Sequence, residues 1–149
     1  MKNVTRNYSI QRGFTMIELL LVIGMMTLIT TIAIPITSSF QTQNNFTLAI
    51  DSTEQMLRRA QILAQSGKEE SSWGVSFQSE QILLFKGTSF ASRDTSFDEQ
   101  INLDGITFSG DTEVVFEPLT GNTSQPYTIT VISQAGTQTL SVNEKGVVQ

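Results

Sequence analysis

The chain has 149 residues, room for one domain, and contains neither cysteine nor histidine. Those absences exclude disulfides, thiolate or imidazole metal sites, cysteine nucleophiles and histidine-based triads. The formal charge of −5 is unevenly spread: Lys2, Arg6 and Arg12 precede the first apolar run, while the rest carries six basic against fourteen acidic residues, a balance that repels phosphate backbones at long range.

In chain order, residues 1–13 are polar and basic. Residues 14–36 are apolar, with one charge, Glu18. The uninterrupted run Leu19–Ile36 has 18 residues, about 27 Å as a helix at ~1.5 Å per residue. With Phe14–Ile17 added it is long enough to cross a ~30 Å hydrocarbon core. The basic flank predicts a cytoplasmic N-terminus and export of everything after Ile36. Pro35, late in this helix, removes a backbone bond to the Thr31 carbonyl and predicts a kink.

Residues 37–67 continue as an amphipathic helix. Phe46, Ala49, Ile50, Thr53, Met56, Leu57, Ala60, Leu63 and Ala64 recur at the spacing of one helical face. That face is expected to dock on the chain's own sheet. Glu54 and Arg58 stand four apart with the acid first, the favourable order, and Gly67 is the expected stop.

Residues 68–149 read as a β-rich head. Trp73, Val75 and Phe77 alternate with small or polar residues, and Trp73 is expected in the core. Gln81–Lys86, Ile101–Leu103, Ile106–Phe108, Glu113–Glu117, Tyr127–Ser133 and Thr137–Val142 are further strand candidates. Gly87–Gln100, rich in Ser, Thr and charge, reads as a loop, as does Pro118–Gln125. Gln134–Gly136 and Asn143–Gly146 read as turns. The fold class is α+β: a long N-terminal helix packed on an antiparallel β head. The adjacent acids Glu69–Glu70 and Asp98–Glu99 are expected to be solvated surface. No cofactor or metal is expected. Without histidine, cysteine or a glycine-rich phosphate loop, the composition argues against an enzyme.

The informative stretch is Arg12-Gly13-Phe14-Thr15-Met16-Ile17-Glu18-Leu19-Leu20. An ordinary signal peptide places its small residues after the apolar region. Here Gly13 stands before it, with no side chain for a protease to accommodate. Cutting at Gly13–Phe14 keeps the apolar helix on the mature chain. Glu18 is the anomaly, since a carboxylate at the centre of an apolar span costs about 2.5–3.5 kcal/mol and less near the interface. Its natural partner is the new ammonium at Phe14 of a neighbouring chain, in an array of helices slipped along their axes.

Gly13, Phe14, Thr15, Ile17, Glu18, the apolar run and Pro35 resemble the type IV pilin and type II secretion pseudopilin precursors. The resemblance covers residues 1–36, with Met16 where Leu is more frequent. It implies cleavage between Gly13 and Phe14 by a membrane prepilin peptidase, which also N-methylates Phe14. It implies assembly through Phe14 and Glu18 with other pilin or pseudopilin subunits. The expected location is the inner membrane, single-pass, and then a pilus or pseudopilus.

A second resemblance rests on Leu57-Arg58-Arg59-Ala60-Gln61-Ile62-Leu63-Ala64, Phe116-x-Pro118-x-x-Gly121, Ile129-x-Val131, Gly136 and Val142-x-x-x-Gly146. These are similar to the GspH/FimT group of minor pseudopilins, which implies a sandwich-like pair of sheets on the helix and a place at or near a filament tip. Some FimT-like proteins take up DNA through basic C-terminal residues. Residues 93–149 of this chain hold Arg93 and Lys145 against eight acids, which argues against nucleic acid as a partner.

Overall fold

The computed structural model describes residues 13–67 and 70–149, with the backbone alone over 31–39. One helix, α1, runs Met16–Gln65 and ends two residues before Gly67. Among the described residues seven strands follow: β1 Trp73–Gln78, β2 Gln81–Lys86, β3 Asp94–Asn102, β4 Thr107–Gly110, β5 Glu113–Phe116, β6 Tyr127–Ser133 and β7 Gly136–Val142. A 3-10 turn, η1, spans Phe90–Ser92 between β2 and β3. The chain divides into two compact units within α1, between Ser38 and Ser39.

In the second unit the strands form two antiparallel sheets, one ordered β3-β2-β1-β5 and the other β4-β6-β7. β1 and β2 make a tight hairpin in which Gln78 pairs with Gln81 and Trp73 with Lys86. β6 and β7 make a second hairpin, from Ser133 opposite Gly136 to Tyr127 opposite Val142. Both pairings follow from alternation with a polar turn between.

One hydrophobic core joins helix and sheets. Phe46, Ala49, Met56, Leu57, Ala60 and Ala64 bury the expected stripe of α1 against Val75, Ile82, Leu84, Val114, Phe116, Ile129 and Val131. Ile50 and Leu63, at the margins of that stripe, are only partly buried. Thr53 lies in the middle of it, fully buried. Its hydroxyl donates to the Ala49 carbonyl at 2.7 Å, so the polar atom is satisfied within the helix. The Phe77 and Phe108 rings, 5.4 Å apart, join the two sheets. Trp73 is in the core, as expected, with Phe97 edge-on at 5.9 Å.

Residues 87–100 are not a loop throughout. From Asp94 onward they form β3, the longest strand, on an open sheet edge. An edge strand keeps one row of backbone groups and much of its side-chain surface in water, so its sequence lacks a strong apolar alternation. Side chains hold it in place. Phe97 packs on Trp73 under the Lys86 ammonium, 4.4 Å from the ring centre. Arg59 pairs with Glu99 at 2.6 Å and Arg93 with Asp98 at 2.9 Å. Asp98 and Glu99 are therefore each engaged by an arginine. Of Glu69–Glu70, Glu70 is exposed and Glu69 lies outside the described residues. Arg58 and Glu54 pair along the helix at 3.4 Å, as their spacing predicts.

Candidate functional site

The first turn of α1 collects the residues singled out from sequence. Gly13, Phe14 and Thr15 precede the helix and are exposed, with Phe14 at 84%. Among the described residues, nothing lies within 4 Å of where a Gly13 side chain would begin. The Thr15 carbonyl accepts the first bonds of the helix, from the Glu18 N–H at 3.1 Å and the Leu19 N–H at 3.2 Å. The Thr15 hydroxyl also accepts from the Glu18 N–H, at 3.3 Å. Thr15 is thus the N-cap and Glu18 the third helical residue. The Thr15-x-x-Glu18 spacing is a capping-box signature, which the charge argument for Glu18 passes over. Glu18 is exposed in the first turn, where a carboxylate opposes the positive end of the helix dipole.

On either side of Glu18, every large apolar side chain from Met16 to Ile29 is exposed. Among the described residues, no helix is long and apolar enough to cross a membrane. The last part of the expected span, Thr31–Ile36, lies outside the residues described in full. So does Pro35, with the kink expected there.

The other end of α1 is clamped by the loops that follow β5 and β7. The Gln61 side-chain amide donates to the Gly121 carbonyl at 3.3 Å and to the Lys145 carbonyl at 3.1 Å. One turn on, the Gln65 amide donates to the Thr120 carbonyl at 3.4 Å. The Leu119 N–H donates to the Ala64 carbonyl at 2.8 Å, satisfying one of the acceptors left over at a helix end. The two loops are themselves tied. The Thr123 hydroxyl lies 2.9 Å from the Gln125 carbonyl and 3.0 Å from the Asn143 carbonyl. Gly121 and Gly146 have φ of +64° and +75°. A Cβ at Gly146 would collide with the Gly121 carbonyl and the Gln61 amide, and one at Gly121 with the Gln65 side chain. The Phe116-x-Pro118-x-x-Gly121 and Val142-x-x-x-Gly146 patterns are therefore the two halves of one helix seat. Gln61 and Gln65 complete it, and nothing in their local spacing announces that role.

Among the described residues no group of three or more Asp or Glu side chains is placed to hold a metal ion. Arg93, one of the two cations in residues 93–149, is taken up by Asp98, by the Phe90 carbonyl at 2.9 Å and by the Phe90 ring at 3.9 Å.

This arrangement of helix and sheets has a counterpart among solved structures. The fold is pseudopilin-like. The minor pseudopilin EpsH from the type 2 secretion system of Vibrio cholerae matches with a TM-score of 0.51 and 12% identity, over 69% of this chain and 93% of that one. At that identity the likeness is one of fold. No family model matches the chain, and no curated protein matches it in sequence. The pseudopilin-like fold gives the α+β layout an architecture: a helix seated on two antiparallel sheets.

Proposed function

We propose that the chain is a minor pseudopilin of the GspH/FimT type, a structural subunit of a type II secretion pseudopilus or a related type IV pilus-like filament. The observation that carries this reading is the pairing of a pseudopilin-like fold with a capped helix start at Gly13-Phe14-Thr15-Met16-Ile17-Glu18. In this reading residues 1–13 are a leader removed by a prepilin peptidase, which then methylates Phe14. Residues 14–36 cross the inner membrane with the N-terminus in the cytoplasm, 37–67 continue the helix, and 68–149 form an extracytoplasmic head. The exposed apolar surface from Met16 to Ile29 supports that placement, because a helix apolar on all sides needs lipid or other helices around it. Glu18 supports assembly. In a filament core its carboxylate would face the Phe14 ammonium of a neighbour, where an unpaired charge costs several kcal/mol.

Intact mass spectrometry of protein extracted from membranes tests the reading. The expected product begins at Phe14 and carries one methyl group. An uncut chain beginning at Met1, or a terminus after Ala33, would overturn it.

A further inference from the structure

Hydrolysis at Gly13–Phe14 adds water across one peptide bond, leaving a carboxylate on Gly13 and an ammonium on Phe14. The atom attacked is the Gly13 carbonyl carbon. In a helix that carbonyl would accept the N–H four residues on, and the backbone around it would be coiled away from an enzyme's reach. Cleavage then requires local opening first. A long apolar helix starting so close to the bond makes this a real constraint. In lipid every free N–H is costly, so the helix gains by growing toward its N-terminus.

The structure stops that growth at one residue. The ladder begins at the Thr15 carbonyl, with donors from Glu18 and Leu19. The Thr15 hydroxyl takes the Glu18 N–H as well. Among the described residues no backbone donor reaches the Gly13 or Phe14 carbonyl. An N-cap residue has non-helical backbone angles, which leaves what precedes it outside the helix. Without the hydroxyl, the next acceptable cap upstream is Gly13 itself, since glycine caps about as well as threonine and phenylalanine poorly. The helix would then start at Phe14. The Gly13 carbonyl would become the first acceptor, taking the Ile17 N–H.

We infer that Thr15 is a positioning residue for processing: its capping hydroxyl holds the Gly13 carbonyl out of the helix and open to the peptidase. The inference rests on the proposed cleavage at Gly13–Phe14 and names what makes that bond a substrate. It also assigns the first turn a second task. The Thr-x-x-Glu box presents Glu18 for assembly and, through Thr15, presents the bond that must be cut beforehand.

The test uses the full-length chain co-expressed with a prepilin peptidase, with leader loss followed over time by intact mass. Thr15→Val keeps the shape and loses the hydroxyl. Thr15→Ser and Thr15→Asn keep a capping oxygen on different shapes. Cutting of Thr15→Val is expected to slow about fivefold, the factor matching a cap of ~1 kcal/mol. Thr15→Ser and Thr15→Asn are expected to be cut within about twofold of the wild-type rate, since both cap at least as well as threonine. Protease resistance of the exported head should be the same in all four chains. Equal rates for Thr15→Val and wild type would overturn the inference. So would slowing of all three variants alike, which would mean the enzyme reads the threonine side chain directly. If the wild-type chain itself keeps residues 1–13, the proposed function falls with it.

Discussion

From Phe46 to Ala64, α1 turns most of its apolar side chains onto the chain's own sheets, Leu48 and Ile62 excepted, whereas from Met16 to Ile29 every large apolar side chain is exposed. The two stretches are built from much the same residue types. They differ in pattern. In the C-terminal stretch the apolar positions recur every three or four residues, with Asp51, Glu54, Arg58 and Arg59 off that face. In the N-terminal stretch they crowd together with no such period, and from Leu19 on without a charge. A periodic pattern can be covered by one partner on one side, and the head supplies it. An unbroken run has to be covered on all sides, which one small head cannot do. Hydrophobicity alone therefore does not say where a residue will be buried; its period does.

If this division holds, substitutions in the two stretches will have separate consequences. The sharpest test is Leu57→Asp, in a chain beginning at Gln41. That fragment, which keeps the whole buried face and all the strands, is expected to be soluble, with mixed helix and sheet by circular dichroism. Leu57 is fully buried, so the substitution strands a charge in the core and is expected to remove more than about 4 kcal/mol, leaving the fragment unfolded. A native spectrum for Leu57→Asp would break the comparison.

Next in size is Gly146→Ala in the same fragment. The positive φ and the collision with the Gly121 carbonyl are expected to cost about 2 kcal/mol. Thermal melts should show a Tm lower by roughly 10 °C. An unchanged Tm would mean that the loops grip the helix less firmly than their hydrogen bonds indicate.

The smallest effect on the head is expected from Glu18→Leu in the full-length chain. Glu18 belongs to the first compact unit and the buried core to the second, so thermal melts of the head should match wild type to within about 0.5 kcal/mol. Recovery with wild-type subunits after cross-linking should fall instead. Reduced head stability would break the separation between the stretches, and wild-type recovery would remove Glu18 from the assembly contact.

What could be read from the sequence follows the range of the interactions involved. The stripe on α1 and the hairpins β1–β2 and β6–β7 are written in local alternation, and they are found where that alternation puts them. β3 was not legible as a whole. Phe97 is the side chain it packs against the core, and Arg59, which holds Glu99, is forty residues away. The helix seat was visible as the spacing of Pro118, Gly121 and Gly146, but its physical meaning depends on Gln61 and Gln65, which lie 60 and 55 residues from their partners in the first loop. At the helix start, Gly13, Phe14 and Glu18 stand out by residue type and position. Thr15 belongs to the same motif, but its capping role lay in the Thr15-x-x-Glu18 spacing, which the charge argument passed over, and shows in its hydroxyl on the Glu18 N–H.

Gln61 and Gln65 sit one turn apart on the helix and hold carbonyls of the loops after β5 and β7, while the Leu119 N–H holds the helix end itself. Three short polar links, set at different heights and angles around the last turns of a rod, resist twisting as well as sliding. An apolar interface alone would resist sliding poorly, since side chains of similar size can slip from one groove to the next. With the links in place, thrust or torque applied to the C-terminal part of α1 passes into both hairpin sheets without slack, and the head turns when that part of the helix turns.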